Sequence, residues 1–269
     1  MKIVSFNING LNAFNNKGNL EKIISETDAD IYCFQETKIS KDKTEKMSKI
    51  FSNFPSYKDY SCICTVKNGY AGVTVLVHNR ISDRVKRAYY PNILANVETF
   101  ETYGDGRVVL VEFDTFYLIS AYVINSGKKE EARIHFDEMM MYFLAGLDKP
   151  CIYCGDMNVC STKLDYWGNY ERSKDSAPGL CQFEIDGFDR ILNECNLVDT
   201  YRYKNGNKQE YTWFSPMGSK TYSACKLRRG WRIDYFLVSD SLKDKIESSK
   251  IYEGWNEKDH SPIELEINI

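Results

Sequence analysis

Six short polar motifs occur along this 269-residue chain, each at the end of a hydrophobic run. Together they supply carboxylates, carboxamides, one tyrosine and a histidine beside an aspartate. This combination is typical of sites in which a divalent metal assists attack of water on a phosphodiester. In chain order the motifs are Ser-Phe-Asn7-Ile-Asn9-Gly, Gln-Glu36-Thr-Lys, Ala-Tyr122, Gly-Asp156-Met-Asn158, Arg-Ile-Asp234-Tyr and Lys-Asp259-His260-Ser.

Carboxylates emerge where two of the apolar runs end. Glu36 follows Ile-Tyr-Cys-Phe-Gln, so it must reach solvent, pair with a cation or bind a metal; a surface or helix-capping glutamate is the ordinary alternative. Asp156 and Asn158 follow Cys-Ile-Tyr-Cys-Gly, and the two-residue step places both side chains on one face of an extended segment. Such a pair can orient and deprotonate a water while charge builds on a phosphoryl oxygen.

A histidine that must hold its charge or its tautomer needs a carboxylate partner. His260 follows Asp259 directly, and Asp234 is the natural candidate for its partner. The other two histidines, His78 and His135, have no acidic neighbour in a comparable motif. A lone histidine is, however, more often structural than catalytic. Tyr122 stands out among nineteen tyrosines only through the motifs around it.

Strands and helices must position these residues. Several apolar runs are continuous, which favours strands buried on both faces. The longest helical pattern spans 132–147 and includes the methionine triplet 139–141, which we interpret as helix core. Because the elements interleave without a linker, we expect one α/β domain covering 1–269. The predicted strands are Lys2–Phe6, Ile31–Phe34, Val73–Val77, Val108–Phe113, Tyr117–Val123, Cys151–Cys154 and Ile233–Val238.

Nine cysteines lie mostly within apolar runs and form no even framework, so we expect reduced core thiols and a reducing cytosol. Cys151-x-x-Cys154 could belong to a zinc or redox site, but its run favours a buried strand. No signal peptide is visible, and no run of eighteen apolar residues predicts a membrane span. A soluble, cytoplasmic protein of bacterial type is expected.

The net charge of −3 argues against a basic coat that binds nucleic acid indiscriminately. Basic residues nevertheless cluster beside the motifs, at Lys128-Lys129, at Arg172 with Lys174, and from Lys226 to Arg232. Charge runs usually form a solvated face. Their position next to the motifs favours contact with phosphate.

Taken together and in this order, the six motifs, spanning residues 5 to 262, resemble those of the exonuclease III family of abasic-site endonucleases, within the DNase I-like endonuclease/exonuclease/phosphatase superfamily. The longer matches favour the abasic-endonuclease branch over the lipid phosphodiesterase branch. The resemblance implies a four-layered α/β sandwich, with two packed mixed sheets flanked by helices and the site at the sheet edges. These matches are Ser-Phe-Asn-Ile-Asn-Gly-Leu, Gln-Glu-Thr-Lys, Gly-Asp-Met-Asn-Val and Gly-Trp-Arg-Ile-Asp-Tyr-Phe-Leu-Val-Ser.

The resemblance also implies a role for each site residue. Glu36 matches the principal Mg²⁺ ligand, supported by Asn7, Asn9 and Asp259, with Mn²⁺ as a substitute. Asp156 matches the residue that positions and activates the attacking water.

Phosphate contacts are implied for the remaining motif residues. Asn158 would hold the nucleophile or the pentacovalent oxygens, and with Asp156 it could ligate a second ion. His260, paired with Asp234, would bind the scissile phosphate. Tyr122 would contact that phosphate and assist the chemistry of the leaving group or the water.

Contacts with DNA follow from the same resemblance. Tyr70, in Gly69-Tyr-Ala-Gly72, and Asn125 match positions that touch the DNA backbone, and Lys128 is expected beside them. Trp213 and Trp231 would line the pocket that receives the baseless sugar, where an aromatic surface can exclude normal nucleotides by shape.

Three departures leave the substrate preference open. Asn12 stands where the family usually has an arginine, which removes one phosphate contact. The segment 159–165 lacks the histidine common there in relatives, and the following loop to Gly187 is unlike theirs. The segment 214–230 has extra length.

The expected activity is that of a Mg²⁺-dependent DNA repair nuclease, acting as a monomer. It would incise duplex DNA 5′ to abasic sites and also act on 3′-blocked ends as a 3′-phosphodiesterase and 3′→5′ exonuclease. Alternatives with the same chemistry are a nicking endonuclease of retrotransposon type, against which the absence of an attached polymerase argues, and a lipid or inositol phosphodiesterase. A non-catalytic nucleic-acid-binding module is a third reading, but such modules usually lose carboxylates that are present here.

Overall fold

Two six-stranded mixed sheets form the centre of the computed structural model, which describes residues 1–97, 99–215, 229–255 and 259–269. In chain order the strands are β1 (Lys2–Asn7), β2 (Ile31–Gln35), β3 (Tyr57–Cys62), β4 (Val73–His78), β5 (Val85–Tyr89), β6 (Val108–Phe113), β7 (Tyr117–Tyr122), β8 (Cys151–Asp156), β9 (Leu197–Asp199), β10 (Trp213–Phe214), β11 (Gly230–Trp231), β12 (Asp234–Ser239), β13 (Ile246–Ile251) and β14 (Ile263–Ile267). The first sheet has the order β13-β14-β1-β2-β4-β3 and the second β5-β6-β7-β8-β12-β9, while β10 and β11 pair separately.

Helices cover the outer faces of both sheets. In chain order the helices of the described residues are α1 (Leu11–Asn16), α2 (Asn19–Thr27), α3 (Thr44–Phe51), α4 (Glu101–Gly104), α5 (Glu130–Ala145), α6 (Tyr170–Ser173), α7 (Gln182–Glu194) and α8 (Thr200–Asn205). Side chains of α1, α2 and α3 pack on the outer face of the first sheet, and those of α5 and α7 on the outer face of the second. A third apolar cluster fills the space between the sheets. These layers are the four-layered α/β sandwich that the family resemblance implies.

All seven predicted strands are present, with ends shifted by at most two residues. The methionine triplet lies in α5, where Met140 and Met141 are buried in the core as expected. The edge strands β3, β5 and β13 were not predicted from the sequence, because exposed polar residues interrupt their apolar positions.

Strand pairing brings the ends of the polar motifs together. Tyr122 pairs with Asp156 in the parallel β7–β8 ladder, and Asp234 pairs with Asp156 in the antiparallel β8–β12 ladder. Gly155, just before Asp156, has φ +133°, and a Cβ there would lie 1.9 Å from the carbonyl oxygen of Ala121. Only glycine therefore allows the strand to approach its neighbour this closely at the point where Asp156 emerges.

The eight cysteines in the described part of the chain are free thiols. Cys151 and Cys154 are buried in β8, as the strand interpretation predicts. Within the described ranges, no helix is long and apolar enough to cross a membrane.

A buried ion pair anchors the loop that follows β8. The carboxylate of Asp165 accepts a hydrogen bond from Arg232 Nε at 2.6 Å and also pairs with Arg202. Asp165 and Arg232 are both almost fully buried, and Arg232 also pairs with Asp199 at 2.6 Å. The buried charges are therefore compensated within one cluster, and loss of Asp165 leaves Arg232 with a single acidic partner.

We predict that Asp165→Ala lowers the free energy of unfolding by about 3–5 kcal/mol, because it leaves the Arg232 charge under-compensated in the interior. Urea unfolding of the two proteins measures this difference. Lys243→Ala, which breaks the exposed pair with Asp240, should change the free energy of unfolding far less, because water screens an exposed ion pair. Equal losses in the two variants would contradict the prediction.

Candidate active site

A cleft of about 380 Å³ opens where the two sheets meet. Nine of the predicted site residues line it, together with a short loop, 177–179, and Ile233. The nine are Glu36, Tyr122, Asn125, Asp156, Asn158, Trp213, Trp231, Asp259 and His260.

Asn7 connects carboxylates from the two sheets. Its Nδ2 donates to Glu36 Oε1 at 2.9 Å and to Asp156 Oδ2 at 2.8 Å. Asn7 is buried at the end of β1, and one carboxamide therefore fixes the spacing between the two acids.

Glu36 and Asn9 already hold a positive charge. The ammonium group of Lys38 lies 2.6 Å from Glu36 Oε2 and 2.6 Å from Asn9 Oδ1. Asn9 Nδ2 in turn donates to Asp259 Oδ2 at 3.0 Å. Oxygen donors that gather around a cation in this way fit a hard divalent metal.

The backbone is unusual at the three residues that form this cluster around the Lys38 ammonium group. Asn9, Glu36 and Lys38 all have positive φ, at 48°, 52° and 53°. Non-glycine residues seldom adopt this left-handed conformation, and such strain concentrates at functional sites.

His260 lies between two aspartates. Its Nδ1 is 3.0 Å from Asp234 Oδ2, and its Nε2 is 3.9 Å from Asp156 Oδ2. All three side chains are buried, with ligand atoms within 4.8 Å of one another, and they could themselves hold a metal ion. Thr212 holds the start of β12, because its hydroxyl accepts a hydrogen bond from the backbone N–H of Asp234.

These contacts shift the pKa values of the acids and the histidine. Burial lowers the pKa of His260, but the charge and hydrogen bond of Asp234, with Asp156 and Asp259, outweigh it and raise this pKa to about 10. Burial, followed by the neighbouring Asp234 charge, raises the pKa of Asp156 above its ordinary value. Burial also raises the pKa of Glu36, yet hydrogen bonds from Asn7 and Lys38 hold it below its ordinary value.

Two tyrosines lie around a buried arginine. The guanidinium of Arg107 is 4.8 Å from the ring centre of Tyr122 and donates to the hydroxyl of Tyr70 at 2.6 Å. Lys129 Nζ also contacts that hydroxyl, at 2.9 Å. Burial raises the pKa of Tyr70, but the charges of Arg107 and Lys129 outweigh it and lower this pKa. Burial, with the charges of Glu36 and Asp156, raises the pKa of Tyr122 well above its ordinary value.

Asn158 is held by a network beneath the cleft. Its Oδ1 accepts from Asn125 Nδ2 at 3.1 Å, and its Nδ2 donates to the carbonyl of Val123 at 2.9 Å. The buried guanidinium of Arg133 donates to the carbonyls of Ile124 and Asn158. Arg133 therefore ties together the two loops that carry the carboxamides.

Trp213 and Trp231 form the apolar wall of the cleft. Their ring centres are 5.2 Å apart, and the backbone of Trp213 forms a bridge with that of His260. Trp231 packs against Gly179, where a Cβ would lie 3.1 Å from the indole.

The structure places the remaining predicted residues around the cleft. Asp234 lies behind His260, Tyr70 lies beyond Arg107, and Lys128 is exposed just before α5. The segment 214–230, expected to carry extra length, falls mostly outside the described residues, as do Lys226 to Arg228 in the basic run. The side chain of Asn12 is half-buried in α1.

Sequence reasoning missed Arg107, Arg133 and a contact role for Lys38. The motif Gln-Glu-Thr-Lys contained Lys38, so its charge beside Glu36 was a readable signal. The other two arginines gave no such signal, because a charged residue at a strand start or on a helix is ordinarily exposed.

Comparison with known proteins agrees with this geometry. An exodeoxyribonuclease of Bacillus subtilis is 32% identical over 277 residues, covering all of both chains. A DNA-(apurinic or apyrimidinic site) endonuclease of Dictyostelium discoideum is 31% identical, covering all of this chain and 71% of the relative. These similarities confirm the resemblance drawn from the six motifs.

Solved structures show the same fold. An AP endonuclease of Leishmania major, at 22% identity, superposes on this chain with a TM-score of 0.85. The superposition covers all of this chain and 87% of the Leishmania chain. One from Archaeoglobus fulgidus, at 20% identity, gives 0.82 with full coverage of both chains. The predicted DNase I-like architecture is thereby confirmed. A family model described as the Endonuclease/Exonuclease/phosphatase family matches residues 4–249, and the chain belongs to this family.

Proposed function

We propose that this chain is a Mg²⁺-dependent DNA repair nuclease that hydrolyses the phosphodiester 5′ to an abasic site in duplex DNA. Removal of 3′ blocking groups and 3′→5′ exonucleolytic cleavage are part of the proposal, as is action as a monomeric single domain. The observation that carries it is the linkage of Glu36, Asn7 and Asp156 beside the buried His260–Asp234 pair. That arrangement supplies a cation site, a base and a phosphate-binding cation within one cleft.

Glu36, Asn9 and Asp259 would hold the metal, because their oxygens already surround the ammonium of Lys38 or contact its ligands. Asn7 donates to both acids in this structure, so it would orient the ligands as well as contribute to the site. Asp156 and Asn158 would complete a second position. Bound Mg²⁺ would supply charge stabilisation for the phosphoryl oxygens, and Mn²⁺ would substitute for it.

Asp156 would accept a proton from the attacking water. Its carboxylate lies in the cleft, and its raised pKa makes it a better proton acceptor than an ordinary carboxylate. The Nδ2 of Asn158 would hold the nucleophile or an oxygen of the transition state. Asn125 keeps the Asn158 carboxamide in this orientation through its hydrogen bond to Oδ1.

His260 would supply positive charge to the scissile phosphate. Asp234 holds its Nδ1, so Nε2 remains on the side of Asp156 and the cleft. Tyr122, whose pKa is raised, keeps its proton and can donate a hydrogen bond to the phosphate or the leaving oxygen. Beyond the scissile phosphate, the DNA backbone would be contacted by Tyr70, Asn125 and Lys128.

Trp213 and Trp231 would receive the baseless sugar. Their rings narrow the apolar side of the cleft, which supports selection of a sugar without a base. The names of the two relatives, an exodeoxyribonuclease and an abasic-site endonuclease, support both activities of the proposal.

We predict that Glu36→Ala and Asp156→Asn each lower the incision rate by at least about 10²-fold, because one removes the metal ligand and the other the proton acceptor. Single-turnover kinetics on a labelled abasic duplex measure the rates. Circular dichroism and thermal unfolding serve as controls that both variants fold. Full activity in either folded variant would contradict the assigned role.

We predict that His260 makes folding pH-dependent. Its pKa is raised in the folded state, so its stabilising effect is complete below about pH 6.5 and is lost as pH rises through about 10. Urea unfolding in chelator at pH 7, 8, 9 and 10 should show stability falling more steeply in the wild type than in His260→Gln. Parallel pH profiles of the two proteins would rule out the charged histidine.

The test of the proposed function uses an end-labelled duplex with one abasic-site analogue and an undamaged duplex, with Mg²⁺ and then with chelator. We expect metal-dependent cutting 5′ to the analogue alone on a denaturing gel. Equal cutting of both duplexes would indicate a general or retrotransposon-type nicking nuclease. Cutting of neither would direct attention to small phosphodiesters or to a binding module.

A further inference from the structure

A row of aromatic side chains leads from the cleft to the surface. Trp231 contacts Tyr166 with ring centres 5.5 Å apart, and Tyr166 contacts Trp167 at 6.0 Å. The row ends in Trp167, which is 44% exposed, whereas Trp213 and Trp231 are each only partly exposed inside the cleft. An exposed aromatic side chain of this size, connected through Tyr166 to the cleft residue Trp231, offers a contact surface.

A positive charge lies over the exposed end of this row. The guanidinium of Arg229 is 5.2 Å from the ring centre of Trp167. This cation–π arrangement combines a flat apolar face with a group that pairs well with phosphate. The two side chains together match the two chemical parts of a nucleotide.

The backbone beneath Trp167 is held firmly. Its N–H donates to the carbonyl of Gly230 at 3.1 Å, and the preceding Tyr166 forms an antiparallel bridge with Trp231. The buried pair of Asp165 and Arg232 anchors the start of the same loop. A rigid aromatic side chain loses little conformational entropy when a ligand stacks on it.

Glycine at position 168 completes the arrangement. A Cβ at Gly168 would lie 2.7 Å from the ring of Tyr166. The absence of a side chain there lets the Tyr166 ring turn back toward Trp231, so Trp167 is left as the outer ring.

We propose that Trp167 and Arg229 form a stacking platform for an unpaired base of a nucleic-acid strand held in the cleft. The inference rests on the proposed function, because it needs that strand to occupy the cleft. A paired base inside a duplex is covered on both faces by its neighbours, whereas an unpaired base presents a free face. Every base has such a face, so the platform recognises the unpaired state and not the sequence.

The platform should make the protein prefer an abasic site that lies next to an unpaired nucleotide. The test compares two duplexes carrying the same abasic analogue, one fully paired otherwise and one with 2-aminopurine unpaired beside the lesion. Affinity is measured in chelator, so that binding is observed without cleavage. Quenching of 2-aminopurine fluorescence reports stacking of the unpaired base.

For the wild type we expect about tenfold tighter binding of the duplex with the unpaired nucleotide, accompanied by quenching. Trp167→Ala should bind both duplexes equally and lose the quenching, whereas Trp167→Phe should retain part of the preference. Tyr142→Ala is the matched control, because Tyr142 is an exposed aromatic residue on α5. Since stacking depends less on salt than phosphate contacts do, the effect should persist when salt is raised.

Equal affinity of the wild type for the two duplexes, or a preference that Trp167→Ala retains, would overturn the platform. Incision of the abasic duplex is measured separately with Mg²⁺ and tests the proposed function. Incision without the preference would reject only the platform, whereas absence of incision would reject the proposed function.

Discussion

Two hydrogen bonds between the sheets hold the site together. Asn7 of β1 donates to Asp156 of β8 at 2.8 Å, and His260, just before β14, contacts Asp234 of β12 at 3.0 Å. Asn7 belongs to the first sheet and Asp156 to the second. His260 lies in the segment that leads into β14 of the first sheet, and Asp234 begins β12 of the second. Because these groups are buried, loss of either contact would leave a charge or a polar group without compensation, which makes the relative position of the sheets sharply defined.

Three buried arginines hold the segments around the cleft in place through polar contacts. Arg107 lies between two site tyrosines, Arg133 joins two loops, and Arg232 anchors Asp165. All three are almost fully buried, and each guanidinium offers several donors in a fixed plane to carbonyls or carboxylates. The loops around the cleft are thus fixed by polar contacts below them, while their outer sides remain open to a substrate.

Strand-end motifs predicted most of the residues that line the candidate cleft. Glu36 and Asp156 follow continuous apolar runs, and parallel and antiparallel ladders bring such ends together. The edge strands and the buried arginines could not be read in this way. In β5, exposed polar residues interrupt the apolar positions. The burial of Arg107 results from packing against Tyr70 and Tyr122. These tyrosines are 37 and 15 residues away from Arg107 in the chain.

The cluster between the sheets has a consequence for how this protein can vary. Its apolar side chains set the separation of the two sheets, and that separation sets the distance from Glu36 to Asp156 through a single carboxamide. A change of volume at a position such as Phe113 or Leu265 therefore reaches the cleft as a displacement of one sheet against the other. A substitution at Phe113 or Leu265 can therefore alter the spacing of the two acids, although neither residue lines the cleft.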